Sequence, residues 1–271
     1  MMQQIETIEQ LHTFPAEVRS KRKGFLTNFY LDEVKHSLWI QKGVLAYEWI
    51  SDTLFIVKKS ETFWNVFYCT TLIEELATDL AKFKSEHSEK RLIFDIVGRE
   101  AQCTPMAKLF EEQGFREATS LVRMTRMTEQ MEYIPDNTIV SASLSDVPVV
   151  HNLLHQYFDE KTEQIPFFEE LETYAKEGQI LICKKEGQIA GFLIYKINAS
   201  TLYLRYWFTH PDFRDKKVGS RLLRRFFEEG KDTKRQIFWV IRNNENAIKR
   251  YRHYGFAEEN MFDFVMEQSA Q

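Results

Sequence analysis

Short apolar runs along the chain alternate with longer segments whose apolar side chains recur every three or four positions. The short runs predict strands, and the helical spacing predicts amphipathic helices. The first half is predicted to contain one polar helix or two short ones within 1–22, strands at 53–59 and 64–71, a helix within 71–90, a strand at 91–98, a helix at 105–115 and a strand at 120–127. The helix at 105–115 is expected to start near Pro105 and to end at Gly114.

The second half opens with a predicted helix at 143–158, led by the capping-type residues Ser143, Ser145 and Asp146. A stretch at 159–178 follows without a clear period. The remaining predicted elements are strands at 179–185, 189–197 and 201–209, a helix at 219–230, a strand at 236–242, a helix at 244–256 and a strand at 262–267. Antiparallel strands that lead into alternating strands and helices predict an α+β fold, with a mixed central sheet flanked by helices.

The two halves resemble each other in a short segment. The strand at 91–97 matches the strand at 235–241, and each is followed by a helix that ends in Gly-Phe. One explanation is chance, or a pattern common to any strand followed by a helix. Duplication is favoured, because the order of the elements agrees as well.

A polar stretch at Thr128–Asn137, which carries Pro135, separates the two periodic regions and is the predicted linker. The sequence therefore predicts two domains of ordinary size, at 1–130 and 138–271.

The composition narrows the function classes. The chain is 44% hydrophobic and 28% charged with a net charge of −4, so no basic face for a nucleic-acid partner is predicted. No apolar run reaches the length of a membrane helix, and the first residues lack the basic start and apolar core of a signal peptide. The three cysteines (Cys69, Cys103 and Cys183) lack metal-ligand spacing and are expected to be reduced thiols of a cytoplasmic protein, with no metal site.

The segment that follows the strand at 201–209 carries the first chemical signal. The strand runs into a loop with Arg214 and Gly219, and a helix then begins. A helix amino terminus with basic residues before it is suited to hold a diphosphate, and glycine lets a backbone approach a ligand closely. Pro211 lacks an N–H and is expected to end strand pairing, which would leave free backbone groups for an extended amide ligand. The alternative is an ordinary strand-to-helix turn with a solvated basic face.

The second signal lies in the helix at 244–256. Asn244 is placed to cap it, and Ala247 and Tyr251 share one face. A phenol beside a thioester sulfur is able to assist the departing thiolate. The alternative is a core tyrosine on an amphipathic helix.

Together, the two segments resemble the GNAT family of acyl-CoA-dependent N-acyltransferases over about Ser143 to Gln271. Arg214 and Gly219 match the family's loop pattern Arg/Gln-x-x-Gly-x-Gly/Ala. The helix matches Asn-x-x-Ala-x-x-x-Tyr-x-x-x-Gly-Phe in full, at Asn244, Ala247, Tyr251, Gly255 and Phe256.

The resemblance implies two GNAT-like domains and one working site, in the second. It implies acetyl-CoA or another acyl-CoA as cofactor and Tyr251 as the general acid. The cofactor-binding residues implied are Phe208, Thr209, Arg214, Asp215, Lys216, Lys217, Val218, Gly219, Ser220, Asn244, Ala247 and Tyr251. The implied partner is a small-molecule or peptide amine acceptor, and the protein is expected to be a monomer or a homodimer.

Two departures from the family pattern bear on catalysis. The first loop glycine is Lys217 here, which is strained by about a kcal/mol if the position needs a positive φ. The strand Leu202–Thr209 has no carboxylate to serve as general base. The candidates are His210, a residue of the 151–170 stretch such as His155 or Glu160, and a water relay.

The first half is expected not to bind CoA as a catalytic unit. Its corresponding helix carries Phe110 in place of the tyrosine, and it has no matching loop. One alternative function is a non-catalytic module that binds CoA or a metabolite. Another is aminoacyl transfer from tRNA, against which the near-neutral charge argues. The sequence does not name the amine acceptor.

Overall fold

The computed structural model describes residues 1–129 and 136–268, although the side chain of Asp215 falls outside this description. The strands are β1 (Gln3–Gln4), β2 (Leu26–Thr27), β3 (Leu45–Ile50), β4 (Thr53–Lys59), β5 (Trp64–Thr70), β6 (Leu92–Gly98), β7 (Arg116–Met127), β8 (Ile139–Ser141), β9 (Ile180–Lys185), β10 (Gln188–Asn198), β11 (Thr201–Thr209), β12 (Arg235–Ile241) and β13 (Ala257–Gln268). The helices are α1 (Ile8–Ser20), α2 (Glu33–Gln41), α3 (Ile73–Glu86), α4 (Glu100–Glu112), α5 (Val147–Tyr157), α6 (Glu160–Glu163), α7 (Phe168–Lys176), α8 (Val218–Glu229) and α9 (Glu245–His253). Short 3-10 helices lie at Leu144–Asp146 and Pro211–Lys216. In the part of the chain described, every helix is too short or too polar to cross a membrane.

The predicted α+β class is confirmed, and most predicted elements lie within a few residues of their observed bounds. The helix predicted at 105–115 starts earlier, at Glu100, so Pro105 lies inside α4. Its start is fixed by the side chain of Gln102, which accepts a hydrogen bond from the backbone N–H of Arg99 at 3.2 Å. Helices α2, α6 and α7 were not predicted, because short helices carry little periodic signal.

Two compact units make up the chain. Unit 1 comprises Met1–Leu121 and Asn260–Gln271, and unit 2 comprises Val122–Glu259. The predicted domain boundary between 130 and 138 does not coincide with the division into these units. The division falls inside β7, after Leu121, and inside β13, before Asn260. The segment Phe262–Gln268 of β13 belongs with unit 1, where it pairs antiparallel with β6. The predicted linker lies partly outside the described residues.

Each unit has the same sheet architecture. In unit 1 the strand order is β1-β3-β4-β5-β6-β13, with β2 paired to β5, and in unit 2 it is β7-β12-β11-β10-β9-β8. An antiparallel group leads into one parallel pair in each case, β5 with β6 and β11 with β12. Helices α4 and α9 both end at a glycine with a φ of +83°, Gly114 and Gly255. This repeated strand order agrees with the duplication that the matching segments at 91–97 and 235–241 favour.

In unit 1, the space between β5 and β6 is occupied by the chain itself. The parallel pairing covers only Trp64 with Leu92 and the next pair, and the strands then separate. The buried side chain of Asn28 bridges them, donating from Nδ2 to the carbonyl oxygens of Val66 (3.4 Å) and Asp95 (2.9 Å). Its Oδ1 accepts from the backbone N–H of Tyr68 at 2.6 Å. The amide of Asn28 therefore satisfies the backbone groups that a separated strand pair exposes.

The Asn28→Ala variant is expected to lower the free energy of unfolding by about 2–3 kcal/mol, because three buried backbone groups lose their partner. Urea unfolding followed by circular dichroism measures this loss. Asn65→Ala is the matched control, since Asn65 is also buried but its Nδ2 has no hydrogen-bond partner among the described residues. Equal losses in the two variants would contradict the bridging role of Asn28.

In unit 2, the corresponding strand pair separates in the same way. Strands β11 and β12 pair only from Thr201 to Tyr203 on β11. On the other side of β11, the register with β10 shifts at Arg205, which is left without a partner in the ladder as a β-bulge. Pairing of β11 with β10 runs to Thr209 and ends just before Pro211, as expected, whereas the separation of β11 from β12 begins earlier, after Tyr203.

The bulge also determines which side chains of β11 face each layer. Tyr206 and Phe208 join the core that α5 and α7 form with the sheet. Trp207 and Thr209 point to the other face, where they contact the start of α8. Past the bulge, the side chains of β11 therefore alternate between the face of the sheet that packs on α5 and α7 and the face that α8 covers.

Candidate active site

A cavity of about 840 Å³ lies in unit 2 at the end of β11. Its walls are the last residues of β11, the amino end of α8, one face of α9 and the end of α5. The lining residues are Tyr157, Phe158, Trp207, Phe208, Thr209, Arg214, Lys217, Gly219, Ser220, Asn244, Ala247, Arg250, Tyr251 and Tyr254. The two segments that the sequence singled out thus meet around one space.

Most of the site residues predicted from the sequence line this cavity. They are Phe208, Thr209, Arg214, Lys217, Gly219, Ser220, Asn244, Ala247 and Tyr251. The side chain of Val218 is fully buried instead, and Lys216 points to Glu186, with 3.5 Å between Nζ and the carboxylate. The side chain of Asp215 lies outside the description.

The loop before α8 turns the chain into the helix through a left-handed residue. Residues Pro211–Lys216 form a 3-10 helix, and Lys217 then adopts a left-handed conformation with φ +56° and ψ +20°. A lysine costs about 1 kcal/mol there relative to glycine. The first N–H groups of α8 have no partner within the helix and carry partial positive charge. With Lys217 and Arg214 beside them, they make this wall of the cavity electropositive.

Gly219 is required for a reason that the sequence did not indicate. A β-carbon at this position would lie 2.9 Å from Oγ1 of Thr209 and 3.3 Å from the ring of Trp207. Helix α8 therefore approaches β11 so closely that a side chain here would force Thr209 and Trp207 to shift. The close approach brings the amino end of the helix to the mouth of the gap between β11 and β12.

Helix α9 brings Tyr251 to the cavity. Oδ1 of Asn244 accepts from the backbone N–H of Ala247 at 3.1 Å, so the predicted cap is confirmed. The ring of Tyr251 packs on Phe238 (4.4 Å between centroids) and on Trp207 (5.8 Å). Burial raises the pKa of Tyr251 to about 12, and the positive charge of Arg250 partly opposes this rise. The phenol therefore keeps its proton at neutral pH and is a hydrogen-bond donor.

The base candidates named from the sequence do not line the cavity. His155 and Glu160 contact each other on the surface, with 2.5 Å between Nδ1 and the carboxylate, and His151 lies 3.1 Å from the other ring nitrogen of His155. His210 accepts a hydrogen bond from the backbone N–H of Asp212 at its Nδ1 (3.4 Å). The ring of His210 packs behind the cavity wall, 6.1 Å from the ring of Tyr157 and 6.2 Å from that of Phe208.

Sequence reasoning missed five lining residues, which are Tyr157, Phe158, Trp207, Arg250 and Tyr254. Strand alternation was the available signal for Trp207, because it lies two positions from Thr209. Nε1 of Trp207 is buried and has no hydrogen-bond partner among the described residues. An unpaired donor in a cavity wall is costly unless a ligand accepts from it.

Comparison with known proteins places the site in a family. Residues 147–256 match the model of the acetyltransferase (GNAT) family. No curated protein sequence is similar enough to the chain to match it.

Several solved structures are similar over the whole chain. A GCN5-related N-acetyltransferase from Sphaerobacter thermophilus has a TM-score of 0.64 at 14% identity, with 100% of this chain and 96% of that chain covered. A tandem GNAT protein from the clavulanic acid biosynthesis pathway has a TM-score of 0.60 at 10% identity, with 100% and 98% covered. A probable N-acyltransferase from Enterococcus faecalis, described as a conserved protein of unknown function, also has 0.60 at 10% identity, with 100% and 72% covered.

At these identities the structural likeness establishes the fold, whereas the family match rests on the segment that contains the cavity. Residues 147–256 of unit 2 form a domain that matches the acetyltransferase (GNAT) family, and the chain as a whole shares its fold with solved structures that include a tandem GNAT protein.

Proposed function

We propose that unit 2 transfers an acyl group, most simply acetyl, from acyl-CoA to an amine. The observation that carries this proposal is that one cavity joins the electropositive amino end of α8 to the phenol of Tyr251. A diphosphate and a thioester sulfur are the two parts of acetyl-CoA that need such groups.

The residues present fit this ligand. The close approach at Gly219 leaves the N–H groups of α8 open to phosphate oxygens, and Arg214 and Lys217 add charge for them. The unpaired end of β11 offers backbone groups to the amides of the pantetheine arm. The buried Nε1 of Trp207 is a further donor that lacks a partner. Phe208 and Thr209 line the same passage.

Bound acetyl-CoA supplies a thioester. The residues of the chain orient the two reactants and stabilise the charge that develops on the sulfur. The amine attacks the carbonyl carbon directly, so the gain comes from holding both reactants in one orientation. The hydroxyl of Tyr251 donates a hydrogen bond to the sulfur as negative charge develops there. Its raised pKa makes it a persistent donor rather than an acid that gives up its proton.

Unit 1 is proposed to lack this activity. Asn28 occupies the gap between β5 and β6, and Phe110 is buried in the core of that unit. One working site per chain follows.

Titration of the wild-type protein with acetyl-CoA in a calorimeter tests the proposal, and we expect saturable binding of one equivalent. Release of free CoA in the presence of a panel of primary amines then measures turnover. Absence of binding would contradict the proposal. Binding without turnover would favour the second candidate, a non-catalytic CoA-binding module, to which the left-handed Lys217 points because the residue strains the cofactor loop.

A further inference from the structure

The end of β11 separates two sides of the cavity that differ in chemistry. The side towards α8 holds Arg214, Lys217 and Gly219, which the proposed function assigns to acetyl-CoA. The side towards α5 holds Tyr157 and Phe158, the last residue of that helix and the residue after it. Because the cofactor takes the first side, the second side is left for the acceptor.

The side towards α5 is an aromatic wall. The ring of Tyr157 lies 4.8 Å from that of Phe208, and the ring of Phe158 lies 6.4 Å from it, measured between centroids. Phe208 is buried, and Phe158 packs edge-on against the buried ring of Tyr206 at 5.4 Å. Tyr157 keeps 39% of its surface exposed, so this residue of the wall remains open to a ligand. An open ring backed by packed rings is suited to hold a flat aromatic group.

The charged residues that line the cavity are all basic. They are Arg214, Lys217 and Arg250, and none of the described lining residues is acidic. Guanidinium and ammonium groups suit the phosphates of acetyl-CoA. They do not suit a protonated amine, which is costly to bury without an oppositely charged partner. The described lining therefore gives a cationic acceptor no carboxylate to pair with.

The other titratable groups of the described lining are the phenols of Tyr157, Tyr251 and Tyr254. A phenol that keeps its proton donates hydrogen bonds and does not take a proton from an ammonium group. The imidazole nearest to the wall belongs to His210, whose ring lies behind it, 6.1 Å from that of Tyr157. Neither a carboxylate nor an imidazole is thus found among the described residues that line the cavity.

We infer that the acceptor is an amine carried on an aromatic ring, which lies against Tyr157 and reaches the thioester uncharged. This inference rests on the proposed function, because it names the substrate class of that site. The aromatic ring matches the wall of Tyr157, Phe158 and Phe208, and an uncharged nitrogen needs neither an acidic partner nor a base. Tyr157 is the residue that determines the specificity, since it is the most exposed of the three.

The reaction balances without a base from the chain. The lone pair of the neutral amine forms the new C–N bond at the thioester carbonyl carbon, and the C–S bond breaks. The sulfur leaves with the electron pair of that bond, under the hydrogen bond from Tyr251. One proton of the nitrogen then passes through solvent to the thiolate, which gives the amide and free CoA. Binding of the ring against Tyr157 orients the nitrogen for this attack.

The ring requirement is tested with 2-phenylethylamine and 2-cyclohexylethylamine, which share a carbon skeleton although only the first has a flat ring. In wild-type protein, kcat/KM is expected to be about tenfold higher for the aromatic amine. Tyr157→Ala should remove this preference, mainly by raising KM for 2-phenylethylamine, whereas Tyr157→Phe should keep it. Hydroxylamine has no ring, and its acetylation above the enzyme-free rate should change little in either variant.

The charge requirement is tested by the pH dependence of kcat/KM in wild-type protein. The value for 2-phenylethylamine should rise about tenfold per pH unit from pH 7 to about 9, because the uncharged fraction of this amine grows by that factor. Hydroxylamine is uncharged over the same range and should give a level profile. A level profile for 2-phenylethylamine would overturn the inference, since it would mean that the protein binds the ammonium form and deprotonates it.

Tyr30→Ala is the matched control, because Tyr30 is exposed and lies outside the cavity lining, and it should behave like wild type with all three amines. The melting temperature of Tyr157→Ala checks that the variant folds. Equal kcat/KM for the aromatic and the saturated amine in wild type would overturn the inference, as would equal losses with 2-phenylethylamine and hydroxylamine in Tyr157→Ala, or no loss with either. Failure of the wild type to bind acetyl-CoA, or to acetylate any of the amines, would instead overturn the proposed function.

Discussion

The Gly219→Glu variant is expected to bind acetyl-CoA at least about 100-fold more weakly than wild type, which corresponds to about 2.8 kcal/mol. The first reason is steric, because a β-carbon at this position would lie only 2.9 Å from Oγ1 of Thr209 and 3.3 Å from the ring of Trp207, so these side chains of the cavity wall must shift. The second is electrostatic, because the new carboxylate stands where the N–H groups of α8 are open and repels phosphate. Calorimetric titration with acetyl-CoA measures the effect.

Asn246→Glu is the control for this prediction. It adds the same charge in the exposed first turn of α9, outside the cavity lining. The control should bind acetyl-CoA nearly as well as wild type. Melting temperatures of both variants check that unit 2 still folds. If a folded Gly219→Glu variant bound acetyl-CoA with wild-type affinity, the amino end of α8 would not be part of the binding site.

The Tyr251→Phe variant is expected to lower kcat by about 100-fold, within the range for loss of one hydrogen-bond donor to developing charge. The affinity for acetyl-CoA should change little, because phenylalanine keeps the ring contacts with Phe238 and Trp207. Steady-state kinetics with 2-phenylethylamine separates kcat from KM. Tyr254→Phe removes a second phenol from the same helix and cavity and should retain most of the activity.

The pH profile gives an independent check on Tyr251. Because burial holds its pKa at about 12, the phenol stays protonated well above neutral pH. Its ionisation should therefore produce no fall in kcat between pH 7 and about 10. A decline in that range that is present in wild type and absent from Tyr251→Phe would show that the phenol ionises much earlier and contradict its role as a persistent donor.

The elements of unit 2 were largely predictable because local signals agree there. The apolar run of β11 and the cap at Asn244 follow from short stretches of sequence, whereas the left-handed conformation of Lys217 entered only as a condition, since the family pattern has a glycine there. The site was predictable for the same reason, since its two segments each carry a pattern of spaced residues.

Other features depend on contacts between distant parts of the chain. The close approach at Gly219 follows from how α8 lies on β11, and the separation of β11 from β12 follows from the register of the sheet rather than from Pro211. Helix α6 is a single turn with no periodic pattern, and it is held beside β11 by the hydroxyl of Tyr206, which donates to the backbone carbonyl oxygens of Glu163 and Gln164. Such long-range relations have no local signature.

The exchange of strand segments between the halves has a consequence for biosynthesis. Unit 1 includes the segment of β13 that pairs with β6, although this segment is made after the whole of unit 2. When the amino-terminal half has been synthesised, the segment of β13 that pairs with β6 has therefore not yet been made, and this edge of β6 is unpaired. An exposed edge of this kind is prone to pair with other chains. The nascent protein must keep that edge protected until Phe262–Gln268 has been made.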